Sequence, residues 1–358
     1  MSEALSLSPS QQVTGHVKWK SPSNIAIVKY WGKHGVQLPR NASLSFTLSA
    51  AHTVTSVQYK SKEADGKVSV HFLFEGVENE AFASKIIIFL QSLVADMPYL
   101  AQLHFDIESS NSFPHSSGIA SSASAMSALA LCLCSIEHDL FDSLPDVDRY
   151  IHKASHLARL GSGSASRSVL PQIGIWGAHP AAPGSSDQYA VGLDGVHEVF
   201  TTYHDDILII NAGEKAVSSR AGHALMEGNP YAAARYTQAN DRLQQLITIM
   251  KTGDVHAFGK LAEDEAMTLH ALMMCSDPSY VLMMPHTLAA IDDIRAYRQH
   301  TGHPLYFTLD AGPNLHLLYP DSIAKEASTF IKNNLKKYCQ DGLIIRDMVG
   351  MGPEKLSS

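Results

Sequence analysis

The sequence predicts an α+β protein. Segments alternating apolar and polar residues at period two recur along the chain, and stretches with apolar residues at i, i+3, i+4 and i+7 are interspersed among them. The two kinds do not follow the regular strand–helix alternation of a parallel sheet. At 358 residues the chain is long enough for one large domain or two lobes with a sizeable core.

Taken in order, "TVTSVQY" (Thr53–Tyr59) and "KVSVHFLF" (Lys67–Phe74) both read as strands. The Asp65-Gly66 turn between them predicts an antiparallel hairpin. "LHFDIES" (Leu103–Ser109) is a further strand, followed by the small, hydroxylic "NSFPHSSGIASSASAMSALALCL" (Asn111–Leu133), which passes from a loop into a helix. The Pro/Gly/Ser-rich "GAHPAAPGSSD" (Gly177–Asp187) reads as a loop and as the boundary region between two lobes. "ILIINAG" (Ile207–Gly213) is a buried strand. Leu243, Leu246, Ile247 and Met250 mark one apolar helix face closed by Gly253, and a second helix runs from about Asp254 to Met274. "LYFTLDAGPNLHLLYP" (Leu305–Pro320) reads as strand, tight turn, strand; "SIAKEASTFIKNNLKKYC" (Ser322–Cys339) as an amphipathic helix; "LIIRDMV" (Leu343–Val349) as a late strand.

The formal net charge of −8 argues against nucleic acid or an anionic membrane as the main partner, and makes local groups of Lys and Arg more telling. No HExxH or paired metal spacing occurs among the 19 histidines. Cys132 and Cys134 lie in an apolar helix pattern without a CxxC pair, as expected of buried free thiols in a reducing cytoplasm. The N-terminus shows no basic start followed by an apolar stretch, and the apolar run from Ala123 to Ile136 is too short to span a bilayer. A cytoplasmic location is the expectation.

Five stretches carry chemistry. The loop-to-helix segment at Pro114–Ser122 would offer phosphate the bare N–H groups and positive dipole end of a helix start, unless it is simply an over-capped helix packed on a sheet. Gly118 would permit close backbone approach, and Ser121 and Ser122 could bind phosphate oxygens or a Mg²⁺ shell; the P-loop pattern is absent. "NIAIVKYWGKHG" (Asn24–Gly35) delivers Lys29, Tyr30 and Lys33 at a strand end, either as a solvated edge or as a clamp for a polyanion. "ARLGSGSASRSV" (Ala158–Val169) sets Ser162, Gly163 and Ser164 ahead of Arg167, as a flexible loop or an anion cradle. "AVSSRAG" places Arg220 beside Ser218 and Ser219. In "FTLDAGPN", Asp310 ends an apolar strand, as a turn former or as a carboxylate aimed into a cleft.

In this order the stretches resemble the GHMP kinase superfamily, and within it the diphosphomevalonate decarboxylases. "NIAIVKYWGK", "PHSSGIASSASA", "GSGSASRS" and "DAGPN" carry the likeness, which extends from about residue 15 to 350. It implies a two-lobed fold: an ATP-binding N-terminal lobe (1–190) with a left-handed βαβ unit, a C-terminal α/β sandwich lobe (191–358), and an active-site cleft between them. It further implies a cytoplasmic homodimer that uses ATP and Mg²⁺ to convert (R)-5-diphosphomevalonate to isopentenyl diphosphate.

On this resemblance Asp310, Lys29 and Arg167 would be catalytic. Asp310 would orient or deprotonate the substrate 3-hydroxyl, Lys29 would neutralise the transferring phosphoryl group and keep Asp310 ionised, and Arg167 would hold the substrate carboxylate. Tyr30, Lys33, Ser162, Gly163, Ser164 and Arg220 would hold the 5-diphosphate. Pro114, Gly118, Ala120, Ser121 and Ser122 would bind ATP, with Ser122 on Mg²⁺; the serines of this loop would face the phosphates. Other readings are a mevalonate 3-kinase or a monophosphate-specific decarboxylase of the same fold, and a non-catalytic nucleotide-binding relative. One departure stands out: Pro171-Gln172 occupies the place of a usual Gly-Gly, while Trp176 is kept. Proline fixes φ where glycine is free, so the loop behind Arg167 is either reshaped for another substrate or only stiffened, and the retention of Ser162, Gly163, Ser164 and Arg167 favours the second.

Overall fold

A computed structural model describes residues 5–8, 10–63, 65–114, 119–213 and 217–357. Two sheets organise it. The first contains β1 (Thr14–Val28), β2 (Ser43–Ser61), β3 (Ser69–Phe74), β4 (Leu103–Asn111), β5 (Ile173–Trp176) and β6 (Ala190–Gly192). β1 and β4 flank β2, both antiparallel to it; β3 lies outside β4 and parallel to it; β5 pairs with β2, and β6 with β5. A strand from the chain's other end, Glu354–Leu356, closes the outer edge of β1.

The expected hairpin across Asp65-Gly66 does not form. β4 lies between β2 and β3, and β3 runs parallel to β4 through the helix α1 (Glu80–Leu93), giving a βαβ unit. Gly66 does take the left-handed conformation of a tight turn, with φ +73°. The turn chemistry was legible; the strand's partner is set by a segment some forty residues on.

α2 (Ser121–Phe141) and α3 (Val147–Gly161) follow. The apolar run at 123–136 belongs to a helix of 21 residues, long and apolar enough to cross a membrane by length and composition, contrary to the shorter span read from sequence. Most of it is buried against β1, β2 and α3, as befits a core helix. Its serines divide. Ser124 hydrogen-bonds Thr53 at 2.6 Å, and Ser127 meets Ser21, so both fasten the helix to the sheet instead of facing phosphate. Ser121 and Ser122 remain at the open end.

The second sheet is antiparallel: β7 (His204–Leu208), β8 (Tyr306–Leu309), β9 (Leu315–Tyr319) and β10 (Ile344–Ile345), in the order β8-β9-β7-β10. A short helix α4 (Ser219–Ala224) precedes α5 (Ala232–Thr252) and α6 (Val255–Met274). Gly253, at φ +78°, ends α5, and the Asp254 carboxylate then caps α6 through the N–H groups of His256 and Ala257. α7 (Pro285–Thr301) and α8 (Ala324–Phe330) complete this half. The expected single helix at 322–339 is instead α8 continued by a π turn and a 3-10 turn. Its buried residues, Ile323, Ala327, Ile331 and Leu335, fall every fourth position. That spacing exceeds the 3.6 residues of an α turn, and a wider turn keeps the stripe on the core.

A shared core joins the halves: Ile25, Ile27, Val28, Phe46 and Leu48 of the first sheet pack with Phe200, Tyr203, Leu243 and Phe258 of the second half. The last third of β1 is therefore buried on both faces, by α2 on one side and by α5 and α6 among its other neighbours. Cys132, Cys134 and Cys339 are buried free thiols, and Cys275 is an exposed one.

Candidate active site

β1 ends at Val28, and the next residue, Lys29, leaves the strand ladder with its main-chain groups needing partners. Two of the three partners come from the other half of the molecule. The Lys29 N–H donates to Glu265 Oε2 at 2.9 Å, and its carbonyl accepts from Asn41 Nδ2 at 3.0 Å and Arg235 Nη2 at 3.2 Å. Glu265 on α6 is fully buried and receives both arms of Arg235 at 2.6 Å and Arg242 at 2.8 Å. Burial alone would raise its pKa; hydrogen bonds and charge from Arg235, with Arg242 and the Lys29 N–H, overrule that and hold it below the usual glutamate range.

So gripped, Lys29 sends its side chain to Asp310, Nζ to Oδ1 3.0 Å, across 281 residues of sequence. Lys29 is 2% exposed and Asp310 26%, so the lysine is enclosed while the carboxylate reaches accessible space. Asp310 follows β8, and its main-chain carbonyl accepts from His270 Nε2 at 3.1 Å. Burial holds the His270 ring neutral, its pKa pushed down to about 4.

Arg167 ends the 3-10 turn Gly163–Arg167 and is buried. Its hydrogen bonds run to neutral side chains: Ser43 Oγ, Ser45 Oγ at 3.0 Å and Asn24 Oδ1 at 3.2 Å. Desolvation lowers its pKa to about 10, and the negative charge of Asp310 partly opposes that, so it remains cationic at neutral pH. Tyr30 packs edge-on against Trp176, ring centroids 4.7 Å apart. Gly163 sits where a Cβ would lie 2.8 Å from Trp176 and 3.0 Å from the Tyr30 hydroxyl, so the turn needs glycine for space. Burial raises the Tyr30 pKa strongly, against the opposing charges of Arg167 and Arg159.

The loop entering α2 meets this group. Ser122 Oγ lies 3.2 Å from Ser162 Oγ. The helix is preceded by Ala120 in the left-handed region, φ 44°, and among the described residues no side chain caps it. The Ala123 N–H turns back to the Ala120 carbonyl at 2.7 Å, while the N–H groups of Ser121 and Ser122 meet no side-chain cap among the described residues. Pro114 lies three residues past β4, and Gly118 lies outside the described residues. Ser164 contributes its carbonyl to Asn24 Nδ2 at 3.1 Å.

Lys33 and Arg220 stand further out. Lys33 is half-buried and donates to Gln37 Oε1 at 2.9 Å; burial first, then the charge of Arg220, lowers its pKa. Arg220 is an exposed residue of α4. His223, one turn later, lies between Tyr30 and Trp31, centroids 4.3 and 4.4 Å away.

The site thus surrounds Asp310 with Lys29 and Arg167, and has the Ser122 and Ser162 hydroxyls and the start of α2 on one side and Lys33 with Arg220 on another. It suits a polyanionic substrate beside a phosphoryl donor. Sequence reasoning missed Glu265, Arg235, Asn41, Ser43, Ser45 and His223, and did not single out Asn24. The signal available was weak: Asn24 stood in the quoted motif, and Ser43 and Ser45 share a face of β2 by their spacing of two.

Residues 21–190 match the diphosphomevalonate decarboxylase-like N-terminal domain, and residues 206–348 the mevalonate 5-diphosphate decarboxylase C-terminal domain. The diphosphomevalonate decarboxylase of Ganoderma lucidum is 29% identical over 326 residues, covering 86% of this chain and 78% of that one. The phosphomevalonate decarboxylase of Haloferax volcanii is 27% identical over 300 residues, covering 81% and 84%. Among solved structures, MDDEF in complex with MVAPP, AMPPCP and magnesium superposes with a TM-score of 0.80 at 29% identity, over 97% of this chain and all of the other. The Staphylococcus aureus mevalonate diphosphate decarboxylase gives 0.81 at 26% identity, over 96% and 99%. The chain belongs to the diphosphomevalonate decarboxylase family, on the GHMP kinase fold.

Proposed function

We propose that the protein catalyses the ATP-dependent decarboxylation of (R)-5-diphosphomevalonate to isopentenyl diphosphate, ADP, phosphate and CO₂. The observation that carries this is the Lys29–Asp310 contact at 3.0 Å with the buried, cationic Arg167 beside it. Asp310 accepts the proton of the tertiary 3-hydroxyl as its oxygen attacks the γ-phosphorus of ATP. Lys29 offsets the negative charge of the transferring group. The C3–O bond then breaks and phosphate leaves. The C1–C2 electron pair becomes the C2=C3 double bond as CO₂ departs. Arg167 holds the carboxylate that is lost.

Tyr30, Lys33, Ser162, Gly163, Ser164 and Arg220 bind the 5-diphosphate, the non-reacting end. Pro114, Gly118, Ala120, Ser121 and Ser122 belong to the nucleotide side. The N-terminus of α2, without a side-chain cap among the described residues, fits a phosphate chain, and the Ser122 hydroxyl fits Mg²⁺, a hard cation that takes oxygen ligands and would neutralise phosphate charge. The lobes divide at 190/191, except that β6 runs on to Gly192 and Glu354–Leu356 returns to the first sheet; the working form is a cytoplasmic homodimer, and sedimentation of the purified protein tests the dimer.

Incubation with ATP, Mg²⁺ and (R)-5-diphosphomevalonate should release ADP and CO₂ in a one-to-one ratio. ADP without CO₂ would instead mark a kinase. Preference for 5-phosphomevalonate would mark a monophosphate-specific decarboxylase, the activity named for the Haloferax volcanii relative. No turnover of any of these substrates would leave a non-catalytic binder.

A further inference from the structure

We infer that His223 is a direct, neutral hydrogen-bond donor to the substrate's 5-diphosphate, through Nε2–H. This rests on the assignment of Tyr30, Lys33 and Arg220 to that diphosphate.

Three observations converge on the residue. First, its ring is fixed. The Gly32 main-chain N–H donates to Nδ1 at 2.9 Å, so Nδ1 carries the lone pair and the proton sits on Nε2. The ring is flanked by Tyr30 at 4.3 Å and Trp31 at 4.4 Å, which leaves it little rotational freedom. The preceding Gly222 presses on the same indole: a Cβ there would fall 2.6 Å from Trp31, so this close approach requires glycine. Second, among the described residues no hydrogen bond uses Nε2, and the side chain is only partly buried, so this N–H stays open to a ligand. A donor of fixed tautomer and orientation that remains accessible is a ready partner for an anionic oxygen.

Third, its neighbours are the three residues assigned to the diphosphate. Tyr30 touches the ring, Arg220 is one helical turn earlier on α4, and Lys33 is close enough for its charge to act on the imidazole. Burial, and then that charge, push the His223 pKa down to about 3. The ring therefore enters the site uncharged across the working pH range. It supplies a directional donor without adding a third cation beside Arg220 and Lys33, whose own pKa is already lowered by burial and then by the charge of Arg220.

The test separates the two faces of the ring. His223→Asn places an oxygen where Nδ1 lies and keeps the Gly32 contact, but removes the outer donor. His223→Gln reaches further and restores an N–H near the Nε2 position. Calorimetric titration with (R)-5-diphosphomevalonate and with inorganic pyrophosphate should show Kd raised about tenfold in the Asn variant, the loss of one hydrogen bond to a charged acceptor. The Gln variant should recover most of it. Binding of mevalonate, which lacks the phosphates, should be equal in all three proteins. Steady-state kinetics should place the change in KM more than in kcat.

Lys33→Ala serves as the reference for the diphosphate end. If it weakens pyrophosphate binding and His223→Asn does not, the inference about His223 is overturned while the assignment of the diphosphate end stands. If wild type binds neither pyrophosphate nor the substrate, both fall. Equal weakening by Asn and Gln, with a matching loss of thermal stability, would reduce His223 to a structural residue and also overturn the inference.

Discussion

Glu265→Gln tests whether the second half of the molecule positions Lys29. The substitution keeps shape and one acceptor oxygen but removes the charge shared by Arg235 and Arg242. The Arg235 side chain is 1% exposed and that of Glu265 0%, so the variant leaves a guanidinium buried without its counter-charge. Removing one member of such a pair costs about 3–5 kcal/mol, against a total stability of about 5–15 kcal/mol for ordinary domains. The variant should therefore fold but unfold at clearly lower urea. Its effect on turnover is separate. Glu265 and Arg235 together hold the N–H and the carbonyl of Lys29, so their repacking shifts the base of the Lys29 side chain. A displacement of about 1 Å at a catalytic group can cost on the order of 10²-fold in rate.

The control is Glu263→Gln, two residues along α6. Glu263 pairs with Arg298 at 2.8 Å, 9% exposed, and no hydrogen bond or ion pair of the described structure links it to Lys29. It should lose stability while keeping kcat near wild type. Urea unfolding with kcat and KM at saturating ATP gives both readings. If Glu265→Gln loses no more kcat than Glu263→Gln at matched folded fraction, the positioning argument is wrong and the network is structural only.

Asp310→Asn should leave the fold intact, because the side chain is partly exposed, and should lower kcat by about 10²–10⁴-fold or more; near-normal turnover would exclude it as the base. Lys33→Ala and Arg220→Ala should chiefly raise KM for the diphosphate substrate, since uniform binding is what a non-reacting end supplies; a pure kcat loss would contradict their placement. The buried neutral His270 should make stability fall in acid. Its folded pKa of about 4 lies below the unfolded value of about 6.5, so the unfolded chain takes up the proton first; the stability is fully present above about pH 6.5 and is lost as pH falls towards 4. The difference in urea stability between wild type and His270→Gln should shift by up to about 3 kcal/mol across that window, and a pH-independent difference would refute it. Gln172→Gly should be neutral to stabilising by about 1 kcal/mol, because it relieves a left-handed residue at φ 52° while adding unfolded-state entropy; a loss greater than that would mean the glutamine side chain itself is needed.

Local signals read well from the sequence. Gly253 and Asp254, adjacent in the chain, end one helix and cap the next by chemistry confined to a few residues. The motifs were legible too: Lys29, Arg167 and Asp310 converge in one site. What could not be read was partnership over long separations. The Asp65-Gly66 turn forms, yet the strand after it pairs with β4 instead of β2, because sheet order is decided by burial of whole faces. Glu265 lies 236 residues from the lysine whose N–H it accepts, in a helix that looks like any other amphipathic helix. Pro171-Gln172 was visible as a departure from the family, and the structure supplies its physical content. Gln172 takes the positive φ that glycine would occupy, held by its N–H to Gly350 and its carbonyl to Thr47. Those two bonds hold the left-handed turn here without a glycine, at the cost of some strain.

The two buried arginines show why partners, more than residue type, separate structural from functional charge here. Arg235 and Arg167 are equally enclosed, 2% and 1% exposed. Arg235 is answered by a carboxylate in a two-pronged contact, so its charge is spent within the protein. Arg167 hydrogen-bonds to two serine hydroxyls and an asparagine amide, which fix its plane without neutralising it. Keeping a guanidinium charged in a dry site is expensive, and its lowered pKa records that expense. The surroundings that orient Arg167 but decline to neutralise it leave the field of the cation for an anion arriving from outside. A substrate carboxylate that must later leave as neutral CO₂ is well matched to such a site: it is bound while charged and released once the charge has moved into the new double bond.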